Sequence, residues 1–286
     1  MLKSVLVAFD PSDPSRAALD HACWLASLFE GKIYLTHVIE LPGELPIGSA
    51  MVPGTMEMLS TVPTMSGMVD LDQYHQERRE DVERMLGEAC RRVSAWNLAC
   101  EWRHELGFPV EKIKSQAESV DLLVLGKFSR PEGTPPRLGR HAGALARQVR
   151  QPVLLAARPH EVPPEIILVY NGGEQSHGAL SLGAEISRLG GLPLRLLVLS
   201  DNPEEEAHFT RTASRYLTDH GASHANESLT GVDGVDRSLP ERLGDRPAAL
   251  VIMGAYRGSR LVQWLSGDST LSLIRELDNP IILCSH

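Results

Sequence analysis

The chain has 286 residues, 42% of them hydrophobic and 23% charged, with a formal net charge of −9. That balance is globular, and no apolar run reaches the roughly 18–20 residues of a bilayer-spanning helix, so neither a membrane protein nor a signal peptide is expected. Residues 1–160 carry 18 basic against 20 acidic side chains and residues 161–286 carry 10 against 17. Neither half therefore has the cationic excess of a nucleic-acid binder, and an anionic ligand should prefer the first.

In chain order, nearly continuous apolar runs predict strands at 4–9 and 33–39, a weaker one at Cys100–Glu105, and further strands at 122–125 and 153–157. The second half follows with 166–170, 194–199, a weaker Ser223–Leu229, then 250–253 and 281–284. Runs without polar alternation suit strands covered on both faces. Helical stripes lie between them: Ala18, Ala22, Leu25 and Phe29; then Val82, Met85, Leu86, Ala89, Val93 and Trp96; then Ala142, Leu145, Ala146 and Val149. Strand–helix alternation of this kind requires a parallel sheet with helices on both faces. Four cysteines without a CxxC pair (Cys23, Cys90, Cys100, Cys284) argue against a disulfide framework and for reduced, cytoplasmic thiols.

The second half repeats the first. A shift of 161 residues lays Val5–Asp10 on Ile166–Asn171, and Ser15, Ala18 and Leu19 on Ser176, Ala179 and Leu180. Later the shift falls to 128: Gly126, Gly139 and Pro152 match Gly254, Gly267 and Pro280, with spacings of 13 and 13 in both. The first copy thus holds about 33 additional residues, assigned to the Pro-, Gly-, Ser- and Met-rich stretch 41–72, which reads either as a loop excursion or, through Met51, Met56, Met58, Met65 and Met68, as a cover for an apolar surface of the other copy. The expected organisation is two tandem five-stranded parallel-sheet α/β sandwich domains of Rossmann-like type, at 1–159 (with the 41–72 insertion) and 164–286, across a proline-stiffened linker.

In open parallel sheets ligands bind beyond the carboxyl ends of the strands, where the strand order reverses. The loop after the fourth strand runs from Gly126-Lys127-Phe128-Ser129 through Arg130 and Arg137 to Gly139-Arg140, and in the second copy from Gly254 through Arg257 to Gly267-Asp268. A strand-end glycine admits close backbone approach, and a glycine opening a helix leaves N–H groups free for phosphate. These loops, with Asp10-Pro11-Ser12-Asp13-Pro14-Ser15 after the first strand, resemble the universal stress protein family, whose nucleotide-binding members carry G-x2-G-x9-G-(S/T) and an aspartate at the end of the first strand. The likeness runs through nearly the whole chain, twice, with only 41–72 outside it.

The resemblance implies an adenine nucleotide, ATP or AMP with or without Mg, held in the first copy by Ala8, Asp10, Val38, Gly126, Lys127, Ser129, Arg137, Gly139 and Arg140. In the second copy it implies Gly254, Arg257 and Gly267. Each copy departs from the pattern. Ser129 replaces the second glycine and Arg140 the Ser/Thr in the first copy; Asn171, Arg257 and Asp268 replace the aspartate, second glycine and Ser/Thr in the second. An aspartate beside a phosphate repels it by about 4 kcal/mol at ~4 Å and an effective dielectric near 20, so the first copy is the expected site.

The histidines show no metal-ligand spacing, and no general base or metal carboxylate is placed for hydrolysis, so at most slow ATP turnover is expected. The function implied is stress response through conformation or partner binding. The alternative is a nucleotide-independent interaction scaffold with both loops degenerate. The last strands, Pro152–Ala157 and Pro280–Cys284, offer edges for an intramolecular pseudo-dimer or a homodimer.

Overall fold

The computed structural model describes residues 2–40, 71–129, 137–156, 159–200, 202–230, 241–254, 274–275 and 277–285, with backbone alone at 71–75, 77, 129, 137, 229 and 230. Residues 41–70, with Met51, Met56, Met58, Met65 and Met68, lie outside the described residues, as do Arg130, Arg257, Gly267 and Asp268.

The first half runs β1 (Ser4–Ala8), α1 (Asp13–Phe29), β2 (Lys32–Ile39), α2 (Leu71–Ser94), β3 (Cys100–Leu106), α3 (Pro109–Ala117) and β4 (Leu122–Gly126). A hairpin of β5 (Phe128–Ser129) and β6 (Arg137–Leu138) follows, then α4 (Arg140–Gln148) and β7 (Val153–Ala156). The second half runs β8 (Ile166–Tyr170), α5 (Glu174–Gly190), β9 (Leu194–Ser200), α6 (Pro203–Asp219), β10 (His224–Thr230), β11 (Leu250–Gly254) and β12 (Ile281–Cys284). All ten expected strands are present, the two weak ones included; the β5–β6 hairpin and the early start of α2 at Leu71 were not anticipated.

One ten-stranded sheet results, in the order β10-β9-β8-β11-β12-β7-β4-β1-β2-β3. Each half is parallel, and counting its own strands in sequence each has the order 3-2-1-4-5, so both reverse direction between their first and fourth strands. The halves meet where β7 pairs antiparallel with β12, Leu154 opposite Ile282. The edges that the last strands offered are thus taken up by each other.

The strands form because their side chains are apolar toward both faces. Val5, Val7 and Leu35 join Ile166, Leu168 and Leu196 in one cluster under α1, α2, α5 and α6. Leu6, Leu123 and Leu155 join Val169, Val251 and Ile281 in a second cluster on the other face, with Ile113 of α3 and Leu145 of α4. Both clusters cross the β7–β12 joint, so burial there, at roughly 25 cal/mol per Å² of apolar surface, stabilises both halves at once.

Helix starts are set locally. Ser12 Oγ accepts the Ser15 N–H at the start of α1, with Asp13 and Pro14 in its first turn. Asn202 Oδ1 accepts the Glu205 N–H at 2.9 Å at the start of α6, and Glu204, Glu205 and Glu206 complement that helix's dipole.

The cysteine expectation needs correction. Cys90, near the end of α2, and Cys100, opening β3, are joined in a disulfide with Cα atoms 5.6 Å apart. Neither chain position signals this, because the pair is made by the tight turn that returns α2 to the sheet. Cys23 and Cys284 are buried free thiols.

Candidate functional site

A cleft of about 1140 Å³ opens at the carboxyl ends of β1, β2 and β4, over the point where the strand order reverses. Its apolar wall is made by Ala8, Val38, Ile113, Leu125 and Leu145, side chains that the sheet and the α3–α4 layer hold in place. The loop from Asp10 to Ser15 forms the facing wall, and the N-terminus of α4, with Gly139, Arg140 and His141, closes one end. From there the cleft runs along α1 to Asp20, Arg92 and Pro159.

Asp10 is exposed and its side chain is already engaged: Oδ1 accepts the Ser12 N–H at 2.9 Å, an Asx turn, while the Asp10 N–H donates to Ser15 Oγ at 2.9 Å. Asn171 Oδ1 accepts the Gly173 N–H at 3.1 Å in the same way. The acid-to-amide change between the copies therefore preserves the turn and alters only the charge. On the floor, His37 donates Nδ1–H to the Phe9 carbonyl at 2.8 Å, and Thr36 Oγ1 is buried without a hydrogen-bond partner among the described residues.

The duplicated strand-end glycines do something the sequence did not reveal. A Cβ on Gly126 would lie 2.9 Å from the carbonyl carbon of Pro14; one on Gly254 would lie 2.9 Å from the backbone of Gln175 and Ser176. Pro14 and Gln175 are equivalent positions, so in both halves the glycine lets the first helix seat on the end of the fourth strand. Gly126 also lines the cleft.

The loop after β4 departs most from expectation. It is a β-hairpin in which Phe128 pairs with Leu138 and Ser129 with Arg137, and the Gly139 N–H donates to the Lys127 carbonyl at 3.0 Å. That amide is therefore engaged within the loop; Gly139 serves as the N-cap of α4, whose first residues line the cleft end. Lys127 is not a cleft residue. Its side chain is fully buried and Nζ donates to the Leu277 carbonyl in the second half, because the position after Gly126 faces the joint. Burial pulls its pKa down from 10.5 to about 7, with Asp278 opposing.

Of the cleft's guanidinium groups, Arg16 pairs with Asp13 at 2.8 Å, and Arg92 makes a two-pronged pair with Asp20, Nε to Oδ1 at 2.8 Å. Among the described residues Arg140 has no carboxylate partner, and it stands on the first turn of α4. His141 lies 3.6 Å from Glu40; burial lowers its pKa, Glu40 opposes that and Arg140 reinforces it. No His, Cys, Asp or Glu cluster suited to a metal occurs among the described residues.

The structure thus gathers Ala8, Asp10, Val38, Gly126, Gly139 and Arg140 in one cleft and removes Lys127. Ser129 and Arg137 pair through their backbones in the hairpin, and Gly254 sits at the corresponding strand end of the second half. Arg92, Asp20, Ile113 and Phe128 were missed: Arg92 is 72 residues from Asp20, and only the fold brings them together.

The first loop of the second half is packed differently. Tyr170 is buried, its ring is perpendicular to Phe209 of α6 at 6.2 Å, and its hydroxyl meets His177 Nδ1 at 3.2 Å. Phe209 lies over Gly172, where a Cβ would fall 2.3 Å from the ring. Gly172, at φ +73°, supplies the space and the left-handed turn together.

Comparison with known proteins agrees with this architecture. The profile of the Universal stress protein family matches residues 1–157. Universal stress protein Slr1230 of Synechocystis sp. is 21% identical over 287 residues, spanning 98% of this chain and 99% of its own. A universal stress protein of Archaeoglobus fulgidus superposes with a TM-score of 0.76 at 18% identity, covering 100% of this chain and 99% of that one. The functionally unknown protein PA1789 of Pseudomonas aeruginosa gives a TM-score of 0.59 at 17% identity over 99% and 92%. The chain, a doubled α/β unit matched by the family's profile over more than half its length, belongs to the universal stress protein family.

Proposed function

We propose that this protein binds an adenine nucleotide, ATP or AMP, in the cleft of its first half, and that the bound state acts through conformation or partner contact rather than turnover. The observation that carries this is the meeting, in one cleft, of an apolar wall with the N-terminus of α4 bearing Arg140, which has no carboxylate partner among the described residues. Such a helix end directs free N–H groups and a positive dipole at an anion, and Arg140 adds a full charge. The reading treats residues 1–159 and 164–286 as the two units, in a cytoplasmic protein.

Calorimetric titration with ATP, ADP and AMP is the test. Wild-type protein should bind at least one of them below millimolar, Gly139→Val should abolish the heat while leaving circular dichroism unchanged, and Arg140→Ala should weaken binding roughly tenfold. Flat titrations at millimolar ligand, or equal binding by the Gly139 variant, sink the assignment. The scaffold reading gains from one feature, the hairpin that engages the Gly139 amide, and it would then stand.

A further inference from the structure

We propose that Cys90 and Cys100 form a redox-active pair, a modification site for thiol–disulfide exchange, and that its state sets how firmly Arg92 is held at the mouth of the cleft. The redox part stands independently of any ligand; the coupling to binding rests on the reading of the cleft given above.

The bond ties α2 to β3 across a short loop. Inside that loop the last turn of α2 tightens, with N–H groups of Ala95, Trp96 and Asn97 donating to the carbonyls of Arg92, Val93 and Ser94. Asn97 closes the turn in the left-handed conformation at φ 57°, which asparagine adopts readily. The cross-link holds the two ends of this turn together. Arg92 sits two positions beyond Cys90, within the loop, and grips Asp20 of α1 where both line the cleft. Trp96, also within the loop, packs against His160 of the linker, with ring centres 6.0 Å apart. One covalent bond therefore restrains a turn that touches both the cleft and the linker between the halves.

The other thiols are unsuited to this chemistry. Cys23 and Cys284 are buried, and burial pushes both thiols up to about 12, far from the thiolate that exchange requires. Cys90 and Cys100 are only half-buried and pack at the margin of the core, unlike the two fully enclosed thiols.

The co-reactant is a dithiol. Its thiolate attacks one sulfur of the pair, breaking the Cys90–Cys100 bond and forming a mixed disulfide. The displaced sulfur leaves as thiolate and takes a proton. The reductant's second thiolate then attacks the mixed disulfide, releasing the other protein thiol and closing the reductant's own disulfide. Two electrons and two protons pass to the protein, and a disulfide oxidant reverses the sequence.

The full-length protein is to be equilibrated with oxidised glutathione or with dithiothreitol, labelled with a maleimide, and mapped by peptide mass spectrometry. Oxidised protein should carry a linked Cys90–Cys100 peptide and no label. Reduced native protein should take label at Cys90 and Cys100 but not at Cys23 or Cys284. Free thiols at 90 and 100 in the oxidised sample overturn the proposal. Hydrogen exchange without nucleotide then reads the coupling: amides around 90–100 and around 16–24 should exchange about tenfold faster after reduction. Unchanged exchange at 16–24 overturns the link to the cleft. The Cys90→Ser/Cys100→Ser double variant should match reduced protein in both buffers, with Tm lower by roughly 5 °C. Finally, ATP affinity should differ threefold or more between the two states. Linked cysteines with faster exchange on reduction, but no ATP binding in either state, would remove the nucleotide reading and leave the redox pair standing.

Discussion

The two halves share a strand order, a duplicated Asx turn and a glycine at the end of the fourth strand, yet among the described residues they line the space beyond the first strand with different side chains. In the first half, Ala8 and the Asp10 loop leave a cleft of about 1140 Å³ open. In the second, Phe209 reaches over Gly172, and the buried Tyr170 packs behind it. Backbone-determined features are repeated, whereas side chains that line the space are not. Duplication preserves what the fold needs twice and leaves the rest free to change.

The largest expected effect tests the shared part. Gly126→Val and Gly254→Val each drive a branched side chain into backbone at 2.9 Å, and each should cost about 3 kcal/mol. Denaturant melts should show similar losses for both; a harmless change at Gly254 would mean that the halves are not packed alike. Next, Phe209→Ala should cost about 2 kcal/mol and expose Gly172, and should add no ATP stoichiometry in calorimetry, since the second copy still carries Asp268 in place of the family's phosphate-binding Ser/Thr. A second equivalent of bound nucleotide would show that aromatic packing alone separates the halves.

The smallest effect concerns Lys127. Its folded-state pKa is depressed to about 7, so between pH 7 and 10.5 the unfolded chain holds a proton that the folded chain lacks, and stability should rise with pH across that window. Lys127→Met should remove this rise and stabilise the protein at pH 7 by about 1 kcal/mol, measured by urea unfolding at several pH values. A rise that persists in the variant would contradict the assigned burial.

The sheet was legible because both-face burial writes itself into runs such as Val5–Phe9 and Ile281–Cys284, and because the 161- and 128-residue shifts expose the duplication. The cleft was legible in part. Ala8, Val38 and Arg140 line it as the family resemblance implied, at strand ends and a helix start that have local signatures. The direction of a side chain does not: nothing around Lys127 tells that it leaves the cleft for the Leu277 carbonyl, since that depends on a neighbour 150 residues away. The same holds for Arg92 with Asp20 and for Cys90 with Cys100, whose meetings are set by how α2 returns to the sheet.

The antiparallel pairing of β7 with β12 has a consequence for how such a protein can vary. Two separate copies of one unit, meeting by their last strands, would form that contact only at sufficient concentration, and any substitution would appear on both sides of the axis. Here the linker through Pro159 and Pro163 keeps the strands in each other's reach at an effective concentration on the order of millimolar, whatever the abundance of the protein. Each molecule is then an obligate mixed pair: one member can specialise while the other is retained for the scaffold it completes.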